Sequence, residues 1–136
     1  MAIELHHLQP GQDNELSILK ARIAYLEKLN HELEEERRWH KFMGMVLDEL
    51  QNAEGKHPKF CDAVTPPGLD FDEEEKRWKK WNDEAEKHYA SDLLNEEFYE
   101  ALNAYQKGDK EHALQEFAQC GAVILRIMDR IEKEME

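Results

Sequence analysis

Long apolar runs are missing from this 136-residue chain. None approaches the roughly 20 residues of a transmembrane helix, so no membrane partner is expected. Cysteine is scarce, with two residues, Cys61 and Cys120. They have neither metal-ligand spacing nor the density of a disulfide scaffold, and free thiols in a reducing cytoplasm are the simplest account. Glycine and proline number 6 and 4, too few for a turn-rich sandwich or barrel. No stretch alternates apolar and polar residues with period two. Basic residues are outnumbered by acidic ones, 18 to 31, for a formal net charge of −13. Nucleic-acid backbones require clustered Lys and Arg, so no nucleic-acid partner is expected. A nucleotide is not excluded on that ground, because a divalent ion bridges an acidic site to phosphate. The opening MAIELHHLQPGQD lacks a basic region followed by an apolar one, and no signal peptide is expected.

What is present is helical periodicity. Residues 1–13 read as a flexible lead broken by Pro10 and Gly11, with Asp13 or Asn14 placed to cap the next helix. From there Leu16, Leu19, Ile23, Leu26, Asn30 and Leu33 recur at alternating spacings of three and four. That is an a/d seam with Asn at one a position. In a parallel pair, Glu15 faces Lys20 and Arg22 faces Glu27, both of opposite sign. Residues 14–38 are therefore expected to form a coiled-coil, oligomerisation helix, the plain alternative being an amphipathic helix lying on its own domain. A broader stripe of Trp39, Phe42, Met43, Val46, Leu47 and Leu50 carries the helix on to Gly55 and Pro58. Residues 55–71 read as a loop, long enough to be functional. A second long helix is expected from Asp72 to Lys107, ended by Gly108, and a third from Asp109 to near the C-terminus. Residues 39–136 thus form one all-α bundle. Its core is modest, and chains of this size often complete it by association, as a homodimer or homotetramer.

Acidic residues recur at matching offsets on the last two helices. Glu97 and Glu100 stand one turn apart beside a stripe of Leu94, Phe98, Leu102 and Tyr105, with Glu96 within reach of Glu100. Glu116 and Gln119 flank the stripe Ala113, Phe117, Gly121, Ile124 and Met128. Antiparallel packing through these stripes brings the acidic pairs together. Like charges one turn apart repel, and burial worsens the repulsion unless a proton or cation neutralises them. Oxygen ligands of this kind suit Mg²⁺ or Mn²⁺. The spacing equally fits a solvated face.

The layout resembles the MazG-like all-α nucleoside triphosphate pyrophosphohydrolases, which carry E-x-x-E on one helix and E-x-x-D on the next. Here EEFYE matches the first motif through Glu97 and Glu100, and EFAQ the second through Glu116, with Gln119 in place of Asp. The following CGAVILRIMDRIE resembles the family's small-residue and apolar continuation. Upstream, LQNAEGKHPKF resembles the A-E-x-K-H-P-x-W turn of small MazG-like proteins, many of them phage-borne. The resemblance covers roughly residues 42–132. It implies Mg²⁺-dependent hydrolysis of a (deoxy)nucleoside triphosphate to monophosphate and pyrophosphate, in a bacterial or phage-infected cytoplasm. Glu97, Glu100, Glu116 and Gln119 would be the metal ligands, and Glu96 or Glu97 would orient the attacking water. Gln119 removes one negative charge from the set. It leaves room for a nucleotide binder that acts through its coiled coil without turnover.

Other residues carry two readings each. In EEEKRWKKW, Lys79 and Trp81 either receive triphosphate and base or belong to a helix with packed Trp and solvated Lys. Arg126 either meets phosphate or serves as a helix-end cation. His112, one turn before Glu116, is a supporting partner of that carboxylate or a surface residue. His57 more naturally shapes its turn than catalyses. His6 and His7 have no second Glu-x-x-His to complete a di-iron site. No nucleophile–His–acid arrangement and no phosphate-binding Gly loop is found.

Overall fold

The computed structural model describes residues 13–56 and 58–136. They form four helices, α1 (Asp13–Lys56), α2 (Asp72–Glu84), α3 (Ala90–Gln106) and α4 (Lys110–Glu134). No strand occurs among the described residues, so the all-α expectation holds. The residues read as a lead, His6 and His7 among them, lie outside the described ones, apart from Asp13, which opens α1; His57 also lies outside them. The chain divides into two compact units after His40.

In the first unit, α1 is continuous through the heptad segment. Leu19, Leu26, Leu29 and Leu33 are all exposed. Asn30 donates from Nδ2 to Glu34 Oε1 at 3.3 Å on the same helix.

The second unit is organised around α3. Gly108, at φ 81°, takes the left-handed conformation that ends the helix. Its N–H bonds to the Tyr105 carbonyl (3.0 Å) and that of Asp109 to the Ala104 carbonyl (3.0 Å). This closes a Schellman-type end. Asp109 then caps α4, its Oδ1 accepting the His112 N–H at 3.1 Å. The tight turn folds α4 back along α3. The buried residues on the two helices are mostly small: Ala101, Ala104, Ala113 and Cys120, with Leu102, Asn103 and Glu116. The stripes drawn from the sequence are therefore rotated. Phe98 and Ile124 stay substantially exposed, although the Phe98 and Phe117 rings still meet edge-on at 6.4 Å. Phe42 is the largest fully buried side chain.

The single helix expected from Asp72 to Lys107 is corrected to two. The backbone turns extended at Ala85 (ψ 133°) and again at Tyr89 (ψ 138°). The segment AEKHY holds neither Gly nor Pro, so local propensity favours continuation. What overrides it is a polar ladder formed when α2 doubles back on α3. Asn82 Nδ2 donates to the Asp92 carbonyl (3.1 Å) and to Glu96 Oε1 (3.1 Å). Further along, buried Asn103 donates to Asp72 Oδ1 (2.9 Å) and to Glu75 Oε2. Lys107 reaches Asp72 at 2.7 Å and holds its carboxyl at about 2, with help from Asn103. At the start of α2, Asp70 Oδ1 accepts the Asp72 N–H at 2.9 Å. The preceding loop is fastened to the end of α3. Buried Thr65 donates to Gln106 Oε1 (2.5 Å), and Gln106 Nε2 donates to the Leu69 carbonyl (2.5 Å).

Asn82 is buried and makes two bonds across this joint. Asn82→Ala is expected to cost about 2 kcal/mol in urea denaturation. Exposed Asp83→Asn beside it should change stability by less than about 0.5 kcal/mol.

Candidate metal centre

The hairpin places Glu100 and Glu116 at equal sequence distances on either side of Gly108. Antiparallel packing therefore brings them level, and Glu97 lies one turn from Glu100 on the same helix. One carboxylate oxygen from each of Glu97, Glu100 and Glu116 lies within 4.8 Å of the other two. Glu116 is only 7% exposed, and Glu97 and Glu100 are half-buried. A solvated face does not fit buried Glu116, while Glu100 also carries a lysine partner, Lys79, at 3.4 Å.

Charge is the problem at this site. With the three groups ionised, Glu97 Oε2 and Glu116 Oε2 are shut from solvent with no hydrogen-bond donor opposite them. Burial pushes Glu97 up to about 7, reinforced by Glu116 and by the charge of Glu100. Burial likewise raises Glu100 to about 6, again with Glu116 contributing and Lys79 opposing. Burial acts upward on Glu116 as well, but hydrogen bonds from Glu100, Glu97 and His112 outweigh it and hold Glu116 below its ordinary value. The trio thus shares protons near neutrality, with Glu116 as the acceptor. A divalent cation would supply the same missing positive charge, and three carboxylate oxygens are the donor set that Mg²⁺ and Mn²⁺ prefer.

Around the trio, His112 Nε2 meets Glu116 Oε1 at 3.1 Å, which makes it a supporting partner. Glu96 is turned to α2, where Asn82 holds one of its oxygens at 3.1 Å. Lys79 lies 3.0 Å from Glu75 and 3.4 Å from Glu100. Its ammonium is held charged above the usual lysine range by the Glu75 hydrogen bond. Trp81 is 59% exposed, its indole N–H donating to Asp92 Oδ2 at 3.1 Å. Gln119 is exposed on α4. Arg126 is exposed ten positions beyond Glu116, about 15 Å along the helix axis, and is not part of the cluster.

Two neighbours of the site went unseen in the sequence. Cys120, a buried free thiol, sits one turn after Glu116. Burial raises its pKa, and the charges of Glu97, Glu116 and Glu100 raise it further. Its i+4 offset from Glu116 was the available signal. Glu75 joins the site through Lys79, and only the fold-back of α2 creates that link. No family model, curated protein or solved structure matches the chain. Among the described residues, no helix is long and apolar enough to cross a membrane.

Glu97 and Glu100 have folded-state pKa values above their ordinary 4.5, so between that value and about 7 the folded chain binds protons more tightly than the unfolded one. Their contribution to stability is complete below the ordinary value and is lost as pH rises through about 6 to about 7. Glu116, shifted down, contributes stability that is lost only as pH falls below the ordinary carboxylate range. The melting temperature of metal-free protein should therefore fall between about pH 5 and about pH 7.5, and Glu97→Gln should flatten that fall. A level or rising profile in calorimetry contradicts the account. At pH near 7.5, Mg²⁺ or Mn²⁺ at about 100 times its Kd should stabilise the fold by about 2.7 kcal/mol. Glu116→Gln should remove most of that gain.

Proposed function

We propose that this chain is a Mg²⁺-dependent nucleoside triphosphate pyrophosphohydrolase that converts a (deoxy)nucleoside triphosphate to its monophosphate and pyrophosphate. The observation that carries the proposal is the convergence of Glu97, Glu100 and Glu116 from two helices, with two buried carboxylate oxygens lacking a donor. These are also the glutamates that match the MazG-like E-x-x-E and E-x-x motifs.

In this reading Glu97, Glu100 and Glu116 hold Mg²⁺, or Mn²⁺ in its place. The ion would supply positive charge to the substrate phosphate as negative charge develops there. Hydrogen bonds from Glu100 and Glu97, with a further one to His112, favour the ionised form of Glu116. Glu96, adjacent to Glu97 in sequence and held by Asn82, would accept a proton from the attacking water. Glu97 is the second candidate for that role. Lys79 and Trp81 both lie on α2, and Lys79 provides a cation beside the carboxylates. Gln119, exposed on α4, would offer a neutral amide either to the metal or to a water held by it.

Pyrophosphate release from a panel of ribo- and deoxyribonucleoside triphosphates, with Mg²⁺ and then Mn²⁺, tests the proposal. Metal-dependent release that falls to background in Glu97→Gln is expected. Silence across the panel from folded protein contradicts catalysis.

One observation favours a second reading, an interaction protein acting through its coiled coil. Leu19, Leu26 and Leu33 of the seam are all exposed on α1. In the second unit, Met43, Val46, Leu47, Ala118, Gly121 and Ala122 line an apolar groove of about 440 Å³. Both features support a homodimer or homotetramer. Sedimentation equilibrium should show self-association that weakens in Leu26→Glu. A chain monomeric at all concentrations contradicts this part of the proposal.

A further inference from the structure

We propose that Lys79 is an exchangeable counter-cation of the metal centre, bridging Glu75 and Glu100 while no divalent ion is bound and withdrawing onto Glu75 alone when one is. Glu75 is then a positioning residue that sets metal affinity through Lys79. The proposal rests on the metal-centre reading above and adds a device to it.

The geometry has three parts. First, the centre has a defined vacancy of charge. Glu116 is 7% exposed and its Oε2 has no donor, as is true of Glu97 Oε2. The trio thus calls for more positive charge than Lys79 supplies, since within the trio the ammonium pairs with Glu100 alone. Second, Lys79 has two acceptors on different helices, Glu75 at 3.0 Å and Glu100 at 3.4 Å. Its side chain is 49% exposed, so the four-carbon stem moves without disturbing the core. Third, Glu75 is itself anchored. Buried Asn103 donates to its Oε2, leaving Oε1 for Lys79.

A divalent ion shared by the trio would lie within a few ångströms of the ammonium, and the two cations would repel. Glu100 cannot give its charge fully to both. Glu75 offers Lys79 a fixed acceptor one turn back along α2, outside the trio, so the ammonium leaves Glu100 without losing its ion pair. Had Lys79 no second acceptor, every metal-binding event would have to break its ion pair outright.

The test is Mn²⁺ binding to the full chain without nucleotide, read from the spin-resonance signal of unbound Mn²⁺. Lys79→Met should tighten binding about fivefold or more, and Glu75→Gln should weaken it by a similar factor. The decisive variant carries both changes. Once Lys79 is gone, Glu75→Gln should have almost no effect, because Glu75 acts by holding Lys79. A simple field effect of one charge predicts instead that the two changes add, and additive behaviour overturns the proposal. So does a Lys79→Met protein that binds Mn²⁺ no better than the parent. Glu75→Gln keeps an amide oxygen for Asn103. Should it nevertheless lower the melting temperature, Glu75→Asp replaces it, retracting the carboxylate from Lys79. Loss of Mn²⁺ binding in every protein, parent included, would sink the metal centre itself, whereas binding with additive effects would sink only the role of Lys79.

Discussion

Glu116 is buried between α3 and α4, and with the trio ionised one of its carboxylate oxygens faces no donor; the other glutamates and His112 are arranged around that charge. Burial alone would neutralise a carboxylic acid. Here two more carboxylates come to the same place, and His112 adds a hydrogen bond from one turn away. The result is a site that shares protons at low pH and would take a cation near neutrality. Small residues make the approach possible. Ala101, Ala104, Ala113 and Cys120 let the helices close around the acids without bulky side chains covering them.

Register is what converts three letters of sequence into this site. Gly108 and the Asp109 cap define a turn with little freedom, and the glutamates sit at matched distances from it. Moving Glu116 by one position would rotate it about 100° around α4, out of the seam. The α2 segment has a different role. It carries the lysine that tempers the site and the asparagine that aligns Glu96, and it holds α3 through polar contacts rather than a large apolar face.

The legible parts were those announced by local chemistry. Gly55 and Pro58 marked the end of α1, Gly108 the end of α3, and three- and four-residue spacing the helices themselves. Glu97, Glu100 and Glu116 were legible because one-turn spacing puts charges on one face. The break at 85–89 was not, because AEKHY is as good a helix former as its neighbours and only long-range bonds from Asn82 and Asn103 disfavour a straight rod. The same fold-back brings Lys79 between Glu75 and Glu100, a link that no local spacing announces. The rotation of the buried stripes follows from packing by small residues, which a search for large apolar side chains overlooks.

The central claim is that the three glutamates share a metal ion. Anomalous diffraction from crystals grown with Mn²⁺ tests it most directly. The account predicts one strong peak ligated by Glu97, Glu100 and Glu116 together. No peak there at saturating Mn²⁺, or a peak held elsewhere on the acidic surface, would contradict it.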